Sequence, residues 1–381
     1  MQREASWDRY WGKAKALSGT PDHPLVLHSL DVAACGQAYL DRNPALIEQL
    51  AVWLGLDTET AKQVITFLLA VHDIGKFAEN FQNKAPDVVV LRFGHALEPS
   101  NSLMHHDEVG ACFFGWMIEQ QTLPEKMQGW PADVWQVLLT ASFGHHGTAP
   151  PPIPTGRNAA SSRLGSAMFA DSREDAKRFF TWCAERFLPI ALPACSEERA
   201  RLASWWIAGL AVLADWIGSN TTWFPYAEAA QRRMSLEEYW QHHALPRARG
   251  AIDEAGVIPV LPTPYMRPES LFSELRNAGL RPAQALAADL PIGSEPQILF
   301  LEDATGSGKT EAALILAARL IDAGLADGLF FGLPTQATAD QMFDRVSGNL
   351  PGWFDDPTRG DEPVNRPSVS GVSGCSPHPR G

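Results

Sequence analysis

Val71-His72-Asp73-Ile74-Gly75-Lys76-Phe77 is the stretch on which the reading of this chain turns. It sits in a run from Ala61 to Phe81 whose apolar residues recur at helical spacing. Neighbours on a helix lie about 100° apart, so His72 and Asp73 would present an imidazole and a carboxylate to adjacent positions of one site. A carboxylate has two oxygens, so Asp73 could bridge two cations. Lys76 follows on the same face one turn later, within reach of a phosphate oxygen beside such a site.

A His-Asp pair alone is weak evidence in a chain with 11 histidines. Its company gives it meaning. His28 opens a helix in Leu27-His28-Ser29-Leu30-Asp31, and His105-His106-Asp107-Glu108 precedes another. Phe143-Gly144-His145-His146-Gly147 ends a third, and Asp215 lies in the apolar stretch Leu213-Ala214-Asp215-Trp216-Ile217. Singly, each has an ordinary explanation. His28 fits a satisfied core histidine, His105 and His106 fit solvated side chains, and His145 and His146 suit a helix C-terminus. Asp215 could pair with an arginine. Together, spread over separate helices, they point to ligands of a metal centre. His23 and the pair His242-His243 have no such context and read as surface residues.

Around this set, residues 1–250 read as one all-helical domain, with amphipathic segments at Val109–Gln120, Trp130–Phe143, Asp175–Phe187 and Glu197–Ile217. No strong strand pattern appears there. Residues 251–295 carry Pro259, Pro262, Pro264 and Pro268 close together and read as a linker. Residues 296–346 then change to α/β: strand 297–301, helix 309–323, strand 328–333 and helix 337–346. Residues 347–381 are dense in Gly and Pro and read as an irregular tail.

The 381 residues carry a net charge of -13, which weighs against a protein that coats DNA along its length. It suits an enzyme whose cations supply the local positive charge. Five scattered cysteines without a CxxC fit a reducing compartment, so a cytoplasmic location is expected. The first residues lack a signal-type apolar core, and no run of 18 apolar residues suggests a membrane span.

Between the 297–301 strand and the 309–323 helix stands Asp303-Ala304-Thr305-Gly306-Ser307-Gly308-Lys309-Thr310, the context of a phosphate-binding loop. Thr305, Gly306, Ser307 and Gly308 would cradle phosphates through backbone N–H groups, Lys309 would reach the β/γ-phosphates, and Thr310 would meet magnesium. Asp303 stands where the strict motif has its first glycine. Arg281-Pro282-Ala283-Gln284 resembles a helicase adenine-reading motif, with Gln284 as the reader, and Leu333-Pro334-Thr335-Gln336 resembles a motif that touches the DNA backbone. No acidic second motif follows a strand; Asp361-Glu362 lies in the Gly/Pro tail. The expectation is weak ATP binding without hydrolysis or unwinding.

The order His28, His72-Asp73, His106, His145-His146, Asp215, with the HDIGKF and LPTQATADQMF stretches, resembles the CRISPR-associated nuclease–helicase of type I interference systems. The SWDRYWGKA opening is similar to the Cascade-dependent subtype I-E. That resemblance spans about residues 7–346 and implies an N-terminal all-α domain of the histidine–aspartate (HD) type, followed by a partial α/β RecA-like domain of superfamily 2. It implies cutting of single-stranded DNA with two divalent transition metals, in partnership with the Cascade surveillance complex. His28, His72, Asp73 and Asp215 would hold one ion and Asp73, His106, His145 and His146 the other, with Asp73 and Lys76 serving catalysis. His106 is preferred to His105 by its spacing from Gly110-Ala111. The mixed imidazole and carboxylate set favours Fe, Mn, Co or Ni over Mg. The helicase part is expected to be truncated, with a separately encoded remainder among the expected partners. Two other readings stand beside this one: an HD phosphohydrolase of nucleotides, and a non-catalytic fragment that docks on Cascade.

Overall fold

The computed structural model describes residues 7–14, 22–153, 158–258, 261–262, 265, 267–272, 275–326, 328–347 and 354–355. Two compact units divide the chain, 1–255 and 256–381. The first is built of α1 (Leu25–Arg42), α2 (Pro44–Leu54), α3 (Thr58–Ala70), α4 (Glu79–Gln82), α5 (Pro86–Phe93) and α6 (His106–Glu119). It continues with α7 (Ala132–Phe143), α8 (Ala159–Gly165), α9 (Ala170–Phe187), α10 (Glu197–Gly218), α11 (Leu236–Tyr239) and α12 (Leu245–Ala255).

The architecture is organised around α1. Every residue from Leu25 to Gly36 is buried, which marks a helix enclosed on all sides. It packs against α3, α10 and α12, while α10 also lies on α7. Asn43 caps α2 by accepting from the Leu46 N–H, with Pro44 in the first turn and Gly55 left-handed at its end. Asp57 caps α3 in the same way through Thr60. α10 is, by length and composition alone, long and apolar enough to cross a membrane. Its inner face of Ala203, Ile207, Leu210, Ala211 and Ala214 is buried against α1 and α7, as in a core helix.

Two departures from the sequence reading matter for the site. The helix expected to run from Ala61 to Phe81 stops at Ala70, and Ile74–Phe77 forms a single 3-10 turn. The cause is a close approach: an added Cβ on Gly75 would stand 1.8 Å from the His106 carbonyl oxygen and 2.7 Å from the Gly110 nitrogen. The chain leaves the axis of α3 to lie on α6. In addition, β1 (Trp11–Ala14) and β2 (Asp22–Pro24) form an antiparallel pair where no strand was expected. Strands this short offer no alternation to detect.

The second unit is described by itself. Within the segment read as a linker stand α13 (Pro268–Leu271), α14 (Leu275–Ala278) and α15 (Pro282–Asp289). Leu271, Phe272, Leu275 and Ala287 bury against Ala312, Leu314, Ile315 and Ala318 of α16 (Lys309–Asp322). α17 (Gln336–Ser347) follows. The parallel strands expected at 297–301 and 328–333 form no ladder among the described residues, and Ile298, Phe300 and Phe330 are exposed. A parallel pair needs cover on both faces and further strands at its edges, which nothing described here supplies. β3 (Leu261–Pro262) instead pairs antiparallel with β4 (Phe354–Asp355). Apart from Phe354–Asp355 and Ser347, the tail expected over 347–381 lies outside the described residues.

Candidate metal centre

Five separate elements deliver side chains to one buried point in the first unit. α1 supplies His28 one turn into the helix, and the turn after α3 supplies His72 and Asp73. The first residue of α6 is His106, the loop leaving α7 carries His145 and His146, and the last turn of α10 carries Asp215. His28, His72, Asp73, His106 and His145 are all buried.

Asp73 stands at the centre, and its two oxygens divide the cluster. Oδ2 lies 3.2 Å from His28 Nε2 and 3.2 Å from His72 Nε2. Oδ1 lies 3.4 Å from His106 Nε2 and 3.5 Å from His145 Nε2. Asp215 Oδ1 joins the first side, 3.4 Å from His28 Nε2 and 3.9 Å from His72 Nε2. His146 Nε2 joins the second, 2.9 Å from His106 Nε2. The sets His28, His72, Asp215 and His106, His145, His146 each place one ligand atom per residue within 4.8 Å of the others. Ligand atoms about 2.0–2.2 Å from a shared cation stand about 3–3.5 Å apart, so spacings of this size would admit one cation on each side of Asp73.

The polar atoms of this cluster are not satisfied by the protein. His28 Nε2, His72 Nε2, His145 Nε2, His106 Nδ1 and both Asp73 oxygens are buried without a hydrogen-bond partner. Asp73 Oδ2 has the Lys76 ammonium 2.6 Å away. The Nε2 atoms of His28, His72 and His145 and Asp73 Oδ1 have no such partner, and each atom of this kind costs about 1–3 kcal/mol. Cations bound here would relieve that cost, and the donor set fits them. Two rings are already oriented for the purpose. His72 Nδ1 donates to the Leu69 carbonyl at 2.7 Å and His145 Nδ1 to the Ser142 carbonyl at 3.2 Å, which turns the Nε2 lone pairs inward.

Charge states follow from burial and neighbours. Burial pushes the Asp73 carboxyl up, but the Lys76 ammonium, 2.6 Å from Oδ2, and His72 outweigh it and hold it well below the usual range. Burial acts likewise on Asp215, and His28 and His72 reverse it, so that carboxylate is also strongly depressed. Burial lowers His106 to about 4 and His145 to about 3, leaving both neutral and able to bind a cation at pH 7. His72 is raised: burial lowers it, and Asp73 and Asp215 more than compensate.

His105 is half exposed and bonds Asp107 Oδ1 at 2.7 Å, with its ring 4.2 Å from that of His106 and 5.5 Å from that of His146. The surface reading of His23 is corrected. It is buried, its Nε2 donating to Asp31 at 2.8 Å and its Nδ1 accepting from the Ala227 N–H. Standing between Asp22 and Pro24, just before α1, it carried no sequence signal of burial. His242 is exposed as expected, while His243 is only partly so. Gln82 was missed: its Nε2 donates to the Trp11 and Lys76 carbonyls and its Oε1 accepts from the Trp11 N–H, which fastens β1 to the turn holding Lys76.

In the second unit, Gly306 and Gly308 adopt left-handed backbone and α16 begins at Lys309. Lys309 Nζ donates to the Asp303 and Ala304 carbonyls at 2.6 and 2.7 Å. Gln284 is buried beside Gly308 and accepts from the Arg281 N–H. Thr305 is exposed, and Ser307 and Thr310 are partly so.

Residues 11–224 match the family model described as "Cas3, HD domain". The chain is 30% identical over 369 residues to the CRISPR-associated endonuclease/helicase Cas3 of Escherichia coli K12, covering 91% of this chain and 40% of that protein. It is also 30% identical to the corresponding protein of Thermus thermophilus, covering 88% of this chain and 35% of that one. Among solved structures, T. fusca Cas3 with ATP superposes with a TM-score of 0.64 at 26% identity, covering 92% of this chain and 38% of that one. A chain of a CRISPR RNA-guided surveillance complex, pre-nicking, superposes with a TM-score of 0.52 at 26% identity, with 89% and 38% covered. This chain thus spans about 40% or less of the length of the curated relatives it matches. With more than half of its residues inside the matched region, it belongs to the Cas3 HD-domain family.

Proposed function

We propose that the first unit is a metal-dependent nuclease that cuts single-stranded DNA in CRISPR interference of subtype I-E, recruited by the Cascade complex. The observation that carries this reading is the division of Asp73: one buried carboxylate offers an oxygen to each of two histidine sets. His28, His72, Asp73 and Asp215 would hold one transition metal, and Asp73, His106, His145 and His146 the other. Such a pair would supply an activated water on one side of a phosphodiester and stabilisation of the leaving oxygen on the other.

The protein's own part is to shape that encounter. Neutral His106 and His145 keep the second set ready to bind. The Lys76 side chain is 12% exposed with its Nζ beside Asp73, placed to meet a non-bridging phosphate oxygen and the charge that builds on it. Docking on a surveillance complex is supported by the likeness to a chain of such a complex, and single-stranded DNA as substrate by the resemblance carried in the sequence.

The second unit is read as part of a RecA-like ATPase core, with Thr305, Gly306, Ser307, Gly308, Lys309 and Thr310 facing the phosphates and Mg of ATP, and Gln284 its adenine. The placement of Gln284 against Gly308 supports this.

The test is incubation of the 381-residue chain with Mn, Co or Ni and circular single-stranded DNA. Linearisation and degradation, abolished in Asp73→Ala, are expected. Hydrolysis of free nucleotides with the circle left intact would replace this reading by a nucleotide phosphohydrolase. Neither activity, with Cascade binding kept, would leave a docking module.

A further inference from the structure

Strand β1 touches both helices that feed the first half of the cluster. An added Cβ on Gly12 would lie 3.0 Å from Leu25 Cα and 3.1 Å from His28 Cβ, so this strand rests directly on the His28 residue. The next residue, Lys13, reaches the other way. Its Nζ donates to the Gly218 carbonyl at 2.5 Å. That carbonyl is one of the last four of α10, which have no donor of their own within the helix.

The end of α10 is where Asp215 sits, three residues before Gly218. Gly218 itself is pressed on α1: an added Cβ would stand 3.0 Å from Val32 Cγ2 and 3.1 Å from the Val32 nitrogen. Ser219 Oγ donates to Asp215 Oδ1 at 2.9 Å, so the carboxylate's direction depends on how this last turn is held. At its other side β1 is fixed by Gln82 to the turn of Lys76. Lys13 therefore closes a ring of contacts that runs from the Asp73 turn, across His28, to Asp215.

We propose that Lys13 is a positioning residue for one of the two cation sites: by holding the C-terminal carbonyl of α10, it keeps Asp215 within reach of His28 and His72. It rests on the two-metal reading above, and its consequence is selective. The His28, His72, Asp215 side depends on Lys13, while the His106, His145, His146 side does not.

The sign of the effect separates positioning from simple charge. Lys13 is a cation near a cation site, so deleting its charge alone would tighten metal binding. Deleting its hold on α10 would weaken it. Loss of a partner that orients a ligand typically costs about 10–100-fold in affinity.

The experiment titrates Co²⁺ into the full chain and follows calorimetry and the visible spectrum. Wild type is expected to bind two ions. In Lys13→Met one of these weakens about tenfold or more, the same one lost in Asp215→Ala, while the one lost in His145→Ala is kept. Lys13→Arg, which retains a donor of similar reach, is expected within about threefold of wild type. If Lys13→Met does not fold, Lys13→Gln takes its place. Unchanged binding, tighter binding, or equal weakening of both sites would overturn the proposal. A wild type that binds fewer than two ions would instead overturn the two-metal reading itself.

Discussion

A Cβ placed on Gly75 would stand 1.8 Å from the carbonyl oxygen of His106, so the turn carrying Asp73 and the start of α6 meet backbone to backbone. The obstacle is main chain and cannot swing aside. Gly75→Ala must push α6 away, and His106 Nε2 now lies 3.4 Å from Asp73 Oδ1. The expected loss is about 1–3 kcal/mol or more, in the range of overpacked sites. A lowered thermal midpoint and weaker binding at the His106 side would be seen together; a variant as stable as wild type would show that α6 is free to shift.

The central carboxylate and the flanking ligands should behave differently. Asp73→Asn removes the charge that both sides share, so both cations should be lost together. Asp215→Ala or His145→Ala should each remove one and leave the other. Metal content by mass spectrometry under native conditions distinguishes these outcomes. Retention of one ion in Asp73→Asn would mean that the carboxylate serves a single site.

Metal-free stability should fall in acid, and the sign can be worked out group by group. An unfolded histidine titrates near about 6.5. His106, lowered to about 4, and His145, lowered to about 3, bind fewer protons folded than unfolded, so stability declines as pH drops below about 6.5 toward those values. Asp73 and Asp215, both depressed, add stability present above the usual carboxylate range and lost below it. His72 is raised and works the other way, its contribution present below about 6.5 and lost as pH rises through its folded value. Between pH 7.5 and 4.5 the two carboxylates keep their contribution, and the two lowered histidines outweigh the one raised. Urea midpoints in EDTA should be lower at pH 4.5 than at pH 7.5, and the reverse order would contradict these charge states.

The residues of the candidate cluster were legible in the sequence because their chemistry is unusual where it stands. Asp215 in an apolar helix and paired histidines at helix ends each call for a partner. The local geometry was not legible. Helical periodicity carried α3 on to Phe81, because Val71, Ile74, Phe77, Ala78 and Phe81 keep helical spacing after Ala70. The break arises from contact between Gly75 and α6, residues over 30 positions apart, which no local pattern records. His23 escaped for a related reason: its burial comes from Asp31 and the backbone of Ala227. The 297–301 strand failed in the opposite sense. Its apolar run is suited to a sheet interior, but a strand exists only where a neighbour pairs with it.

The same dependence on neighbours sets the nucleotide prediction. Lys309 Nζ is engaged by the Asp303 and Ala304 carbonyls of its own loop, and Gln284 is engaged as the partner of the Arg281 N–H at the start of α15. ATP would have to displace the first pair before its phosphates could be held. Weak binding is therefore expected, with a dissociation constant well above that of a preformed site. Lys309→Ala should weaken it further, by about tenfold, since it removes a charge-assisted contact worth about 1.5–3 kcal/mol. Gln284→Ala should weaken ATP more than GTP if Gln284 reads the base, and should also loosen α15 by about 1 kcal/mol through loss of its cap. Fluorescent ATP and GTP analogues, titrated into each variant with Co²⁺ binding as a control on the first unit, give the comparison. Equal affinity of wild type and Lys309→Ala for ATP would remove the phosphate-loop reading and leave the metal centre untouched.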